Sequence, residues 1–190
     1  MNHLGTKTLE APRLILRQFR PSDAQDMFNN WCNSPAVCKY LSWDPHRELE
    51  TTRKVLSGWV EAYQDNTVYH WVIELKENNQ AIGSIGALNV SEKHLECFLG
   101  YCIGEAFWGQ GLMTEAVARV ITFLFEEVGL HRIEARHLTK NPASGRVMEK
   151  CGMVWEGTLR RNRLMKDGTY GDMNIWAILR EDWERDKLRT

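Results

Sequence analysis

Phe107-Trp108-Gly109-Gln110-Gly111-Leu112-Met113-Thr114-Glu115-Ala116 is the stretch with the most to say about chemistry. Its glycines let the backbone turn tightly and approach a ligand with no Cβ in the way. An amphipathic run follows at once, so the amides of a first helical turn point outward at the positive end of the helix dipole. That arrangement suits a phosphate or pyrophosphate. No GK[ST] follows, so this is not a Walker loop, and Thr114 stands where a dinucleotide fingerprint needs its third glycine. The plainer use is a glycine turn that only starts a helix. Asn141-Pro142-Ala143-Ser144 starts another helix, with Asn as N-cap and Pro at the first helical position. The Ser144 hydroxyl, one turn in, can donate to something lying across the helix start; self-capping is its plainer use. Residues 131–166 hold nine Lys and Arg against three Asp and Glu, in a chain whose formal net charge is −1. Such a block fits either a local anionic ligand or a solvated basic face.

These segments need elements to position them. Leu14-Ile-Leu16 reads as a first strand, and Pro21-Ser22-Asp23 caps a helix from about Ser22 to Cys32. Glu48 to Tyr63 reads as a second helix, with Val55, Leu56, Trp59 and Val60 on one side. Tyr69 to Leu75 and Ala81 to Val90 are strands joined by a polar turn, and His94 to Ile103 is a third. Val117, Val120, Ile121, Leu124, Phe125 and Val128 recur at helical spacing from Leu112, and Gly129 ends that helix. Arg132 to Leu138 is a short strand, the Asn141 helix closes at Gly152, and Met153 to Leu159 and Tyr170 to Leu179 are the last strands. No repeat or linker divides the chain, so the 190 residues form one mixed α+β domain.

Together these motifs resemble the GCN5-related N-acetyltransferases (GNAT), and more closely their RimJ/RimL-like branch, which acetylates ribosomal-protein N-termini. The branch reads WGxGxxTEA, NxxSxxxxEKxGF and EGxLR. This chain has Trp108 to Ala116, Asn141 to Gly152 and Glu156 to Arg160, and its opening Leu9 to Arg17 is similar to LxTxRLxLR. The likeness covers about residues 9–183. It implies a six- or seven-stranded mixed, V-splayed sheet with helices on both faces, and acetyl-CoA as cosubstrate. It implies that the pyrophosphate meets the amides of Trp108, Gly109, Gln110, Gly111, Leu112, Met113 and Thr114, and that the pantetheine pairs with the strand ending Tyr101-Cys102-Ile103. Asn141 would touch the CoA arm. Ser144 would take the acid role that many members give to a tyrosine, protonating the departing thiolate. By charge, and not by the motif, Lys150, Arg146 or the Arg160-Arg161-Arg163 cluster would meet phosphates, which would account for the basic block. The oxyanion would meet the amide of Cys102 or Ile103. Many relatives carry an acid two residues before the Gly-Tyr of the fourth strand; here Phe98 stands there, and the nearest acids are Glu96, the candidate base, and Glu105.

Direct attack on a thioester needs a neutral amine. A lysine amine is neutral about once in 2,500 molecules at pH 7, an α-amine roughly 10–15% of the time. A weak base therefore favours an α-amine acceptor, provided no hidden carboxylate such as Glu74 reaches the site. Cys97 and Cys102 lie five apart and face opposite sides of a regular strand, which leaves packing as their use. Trp59 belongs to an apolar stripe, whereas Trp43 and Trp31 are candidates for the acceptor wall. His46 and His70 read as structural, and no cluster has metal-ligand spacing. With 43% apolar and 26% charged residues, no apolar run long enough for a membrane span and no CxxC pair, the expectation is a cytoplasmic protein, monomer or homodimer. It would not bind nucleic acid directly, and its partner would be an amine acceptor, foremost a protein N-terminus. The alternatives are a small-molecule amine acetyltransferase or a CoA-binding sensor without catalysis.

Overall fold

Near-continuous apolar runs in Leu14–Arg17, Tyr69–Leu75 and Ala81–Ser91 are what a sheet covered on both faces requires. The computed structural model, which describes residues 1–188, shows that sheet. The last two residues of the expected domain lie outside the described ones. The strands are β1 (Leu9–Glu10), β2 (Leu14–Arg17), β3 (Tyr69–Leu75), β4 (Ala81–Ser91), β5 (Glu96–Ile103), β6 (Arg132–Leu138), β7 (Val154–Leu164) and β8 (Tyr170–Leu179). Their order in space is β1-β2-β3-β4-β5-β6-β8-β7, with β5–β6 the parallel pair. Eight strands replace the expected six or seven. The two-residue β1, paired through Leu9↔Leu16, is too short to leave a periodic signal.

On one face lies α4 (Leu112–Phe123), extended by a π-turn Leu124–Val128, together with α5 (Pro142–Lys150). Leu99, Ile133 and Ala135 of the sheet pack with Ala116, Val117 and Val120 of α4 in the larger core. The other face carries α1 (Ala24–Met27), α2 (Pro35–Cys38) and α3 (Leu49–Ala62) over a second core around Met27, Trp31 and Leu56. The expected helix from Ser22 to Cys32 is instead a 3-10 turn, Pro21–Asp23, then α1, then a π-turn, Phe28–Cys32. The short α2 and the polar C-terminal α6 (Arg180–Lys187) have no apolar stripe long enough to announce them. No helix among the described residues is long and apolar enough to cross a membrane.

A buried charge cluster ties the N-terminal helices to the sheet. Arg17 donates to Asp23 (Nη1 to Oδ2, 2.8 Å) and to Glu74 (Nε to Oε2, 2.7 Å). Glu74 is therefore held by Arg17. Removing one member of such a set would leave a buried charge unpaired, at a cost of about 3–5 kcal/mol.

Candidate active site

β5 and β6 run side by side from Glu96↔Arg132 to Leu99↔Ala135 and then part. Beyond that point β5 stays on β4 as far as Gly83↔Ile103, and β6 stays on β8 as far as Leu138↔Met173. The sheet opens into a V, and a cleft of about 710 Å³ fills it. The Gly104 amide donates to Ile82 O at 2.8 Å. Amides alternate along a strand, so that of Cys102 turns to β4 while those of Tyr101 and Ile103 turn to the gap. Of the two amides expected to meet an oxyanion, Ile103 is the one on the open side. The Cys102 thiol borders the cleft and lies 3.4 Å from Ser84 Oγ. Cys97 lies buried in the opposite core, as the spacing of five requires.

The glycine turn sits at one lip. Gly109 (φ 74°) and Gly111 (φ 77°) occupy the left-handed region that favours glycine. After Trp108, the next amide to donate within the chain is that of Glu115, to Gly111 O at 3.1 Å. The amides of residues 109–114 have no acceptor among the described residues. Six donors in a row at the start of a twelve-residue helix make a cradle for an anion. Trp108 adds a brace, its indole N–H donating to Ile103 O at 2.9 Å. Arg13, which the sequence did not mark for this site, holds the turn from behind. It donates to Gln110 O at 3.0 Å and to Glu115 at 2.8 Å.

On the α4–α5 face, Tyr101 reaches Ser144, with Oη 3.0 Å from Oγ and 3.1 Å from the Ser144 carbonyl oxygen. Burial pushes the Tyr101 hydroxyl well above its usual range, so it stays protonated and directs Ser144. His137 supports the same helix. Its Nδ1–H donates to Leu138 O (2.8 Å) and its Nε2 accepts the Trp176 indole N–H (3.1 Å). These two partners set the tautomer. A Cβ at residue 145 would fall 2.7 Å from that Nε2, so Gly145 is what lets α5 rest on the imidazole. Asn141 is at the N-cap but its side chain makes no capping bond; it borders the cleft instead. Lys150 and Arg146 border it on the same helix.

Other expected residues lie elsewhere. Glu96 sits at the far end of β5, 4.0 Å from Arg132 and outside the cleft, because the V opens only four residues later. Glu105 is exposed in a 3-10 turn, also outside the cleft lining. Trp31 is 0% exposed in the second core, and a ring that size is worth most when buried. Trp43 is half-buried against His46, at 5.5 Å between centroids, and does not line the cleft. The wall on that side of the cleft is made by Ala36, Val37, Tyr40, Leu41 and Ser42. Lys166, on the β7–β8 turn, secures that wall. Its ammonium donates to Cys38 O (3.0 Å) and Trp43 O (2.6 Å) and pairs with Asp44 (3.1 Å). Of the Arg160-Arg161-Arg163 cluster, Arg163 alone borders the cleft.

The family model described as Acetyltransferase (GNAT) domain matches residues 13–154. This chain belongs to the GNAT acetyltransferases. It is 32% identical over 172 residues to an N-acetyltransferase of Bacillus subtilis, YoaA, covering 90% of this chain and 96% of that one. It is 26% identical over 183 residues to the [Ribosomal protein uS5]-alanine N-acetyltransferase of Escherichia coli, covering 92% of each. Among solved structures, a GNAT-family acetyltransferase from Bacillus anthracis superposes with a TM-score of 0.80 at 25% identity, covering 92% of this chain and 99% of that one.

For a GNAT enzyme the charge in this cleft is one-sided. Its ionised lining groups are Arg136, Lys140, Arg146, Lys150 and Arg163, with no Asp or Glu among the described lining residues. Phe98 takes the place of the missing acid, and the Arg136 guanidinium lies over its ring at 5.8 Å. Both nitrogens of His137, the lining imidazole, are already engaged.

Proposed function

We propose that this acetyltransferase moves the acetyl group of acetyl-CoA to a peptide N-terminal α-amine by direct attack. The observation that carries this reading is the carboxylate-free, cationic cleft. A polyamine acceptor brings several ammonium groups and needs carboxylates to meet them. An α-amine brings one, and a cationic surrounding disfavours its protonated form, which raises the nucleophilic fraction without a dedicated base.

The residues present fit acetyl-CoA. The free amides of 109–114 and the cations Arg146 and Lys150 suit its phosphates, and the open edge of β5 at Tyr101 and Ile103 suits an amide-bearing arm. When bound, acetyl-CoA supplies an activated acyl thioester. The Ile103 amide would polarise a carbonyl in the gap, and Ser144, held by Tyr101, would give its proton to the leaving sulfur and be reprotonated by the proton the attacking amine sheds. The likeness to a ribosomal-protein acetyltransferase supports a protein acceptor.

The test is to incubate the protein with acetyl-CoA and a mixed panel of N-terminal peptides, polyamines and aminoglycosides, and to read products by mass. Acetylation at a peptide α-amine is expected. Acetylation of small amines alone would refute the acceptor and keep the enzyme. Acetyl-CoA binding without product would favour a sensor.

A further inference from the structure

The acid-free lining divides by face, and the division assigns the acceptor's own charge. Paired residues on antiparallel strands share a face. Leu138 pairs with Met173 and Arg136 with Ile175, while Arg163 pairs with Gly171, two residues before Met173 on β8. Arg136, Leu138, Met173 and Arg163 therefore form one wall with Phe98, over which Arg136 lies. This wall lines the cleft together with Tyr40, Leu41 and Ser42, on the sheet face opposite the one His137 turns to α5, where Arg146 and Lys150 stand.

The acids near Arg163 are committed to other groups. Asp167 accepts from the Thr169 amide at 2.9 Å, Asp172 from the Arg161 amide at 2.7 Å, and Glu156 pairs with Arg132. Arg136 has Glu134, at 2.6 Å. Arg163 has no carboxylate within ion-pair distance among the described residues, though it is half-buried and borders the cleft. A guanidinium offers five N–H donors in a planar fork that matches a carboxylate.

We propose that Arg163 reads an acidic side chain just downstream of the acetylated amine, so that the acceptors are peptides with Asp or Glu among their first few residues. This rests on the N-terminal reading above. Arg136 lies on the same wall, nearer the V, with its charge already met by Glu134, which leaves Arg163 as the guanidinium available to the chain.

The experiment uses peptides that share an N-terminal serine and carry Asp, Ala or Lys at positions 2–4. The wild type, Arg163→Glu and Arg163→Lys are compared by kcat/KM with product read by mass. The wild type is expected to favour the Asp series over the Ala series by roughly tenfold, and over the Lys series by more. Arg163→Lys should keep that order, and Arg163→Glu should reverse the Asp and Lys series. Equal rates on all three series in the wild type overturn the assignment and leave the peptide reading standing. The same order in Arg163→Glu as in the wild type overturns it too. If no peptide reacts while a small amine does, the peptide reading itself falls, and the assignment with it.

Discussion

The hydroxyl of Tyr101 on β5 lies 3.0 Å from that of Ser144 on α5, forty-three residues along the chain. It joins the strand bearing the open edge to the helix bearing the candidate acid, side chain to side chain. Tyr101 has a second acceptor in the Ser144 carbonyl at 3.1 Å, which leaves the Ser144 proton free to point at Tyr101 or at a ligand.

Ser144→Ala should therefore lower kcat by on the order of 10²–10⁴ while changing acetyl-CoA affinity little. Tyr101→Phe should lower kcat less, and the double variant should be no worse than Ser144→Ala alone, because the two act as a unit. Equal losses in kcat and in cosubstrate binding for Ser144→Ala, read by steady-state kinetics and calorimetry, would remove the acid role.

Gly109→Ala tests the cradle. A Cβ there would meet nothing within 4 Å, so any harm comes from φ alone, at about 1–2 kcal/mol. Thermal unfolding should report that loss, and the KM for acetyl-CoA should rise as the turn relaxes away from its left-handed conformation. An unchanged KM would mean that the amides of the turn do not hold the cosubstrate.

Lys166→Met should loosen the wall at Tyr40, Leu41 and Ser42 by removing the donor to Cys38 O and Trp43 O. The expected result is a several-fold higher KM for the amine with little change in that for acetyl-CoA, since Lys166 touches nothing in the glycine turn. Lys166→Arg should recover part of the loss. A parallel rise in both constants would point to general destabilisation instead.

Acid sensitivity should follow His70. Burial holds its imidazole near pKa 4, with Trp59 at 4.5 Å and Phe19 at 5.1 Å between ring centroids. The unfolded chain binds the proton at about pH 6.5, so between pH 6.5 and 4 the unfolded state holds more protons than the folded one. Stability should rise with pH across that window and fall on acidification, by an amount on the order of 1–3 kcal/mol. His70→Phe should flatten this part of the profile in denaturant titrations at several pH values.

Much of the site was legible because its causes are local. Gly109 and Gly111 mark a left-handed turn whatever surrounds them, and the apolar spacing from Leu112 to Val128 specifies a helix directly after it. Asn141-Pro142 marks the start of α5 for the same kind of reason, although the Asn141 side chain does not make the cap. Trp59 on its stripe was readable as core, and it packs in the second core beside Phe19 and His70.

Glu96, Trp31 and Trp43 were misplaced because their use depends on where strands part and which way a loop folds. Glu96 is near Phe98 in the chain yet below the V, and Trp31 turns inward on a helical stretch whose π-turn breaks the simple period.

The sequence by itself determined the family, the order of the main elements, the glycine turn before α4 and the identity of the candidate acid, since each is written in short-range spacing and backbone preference. Only the tertiary structure decided which amide of β5 faces the gap, that Tyr101 aims Ser144, that Lys166 holds the far wall and that no described carboxylate enters the cleft. The Tyr101–Ser144 and Lys166–Cys38 contacts join residues 43 and 128 positions apart, and such pairings come from how sheet and helices pack together rather than from any local preference.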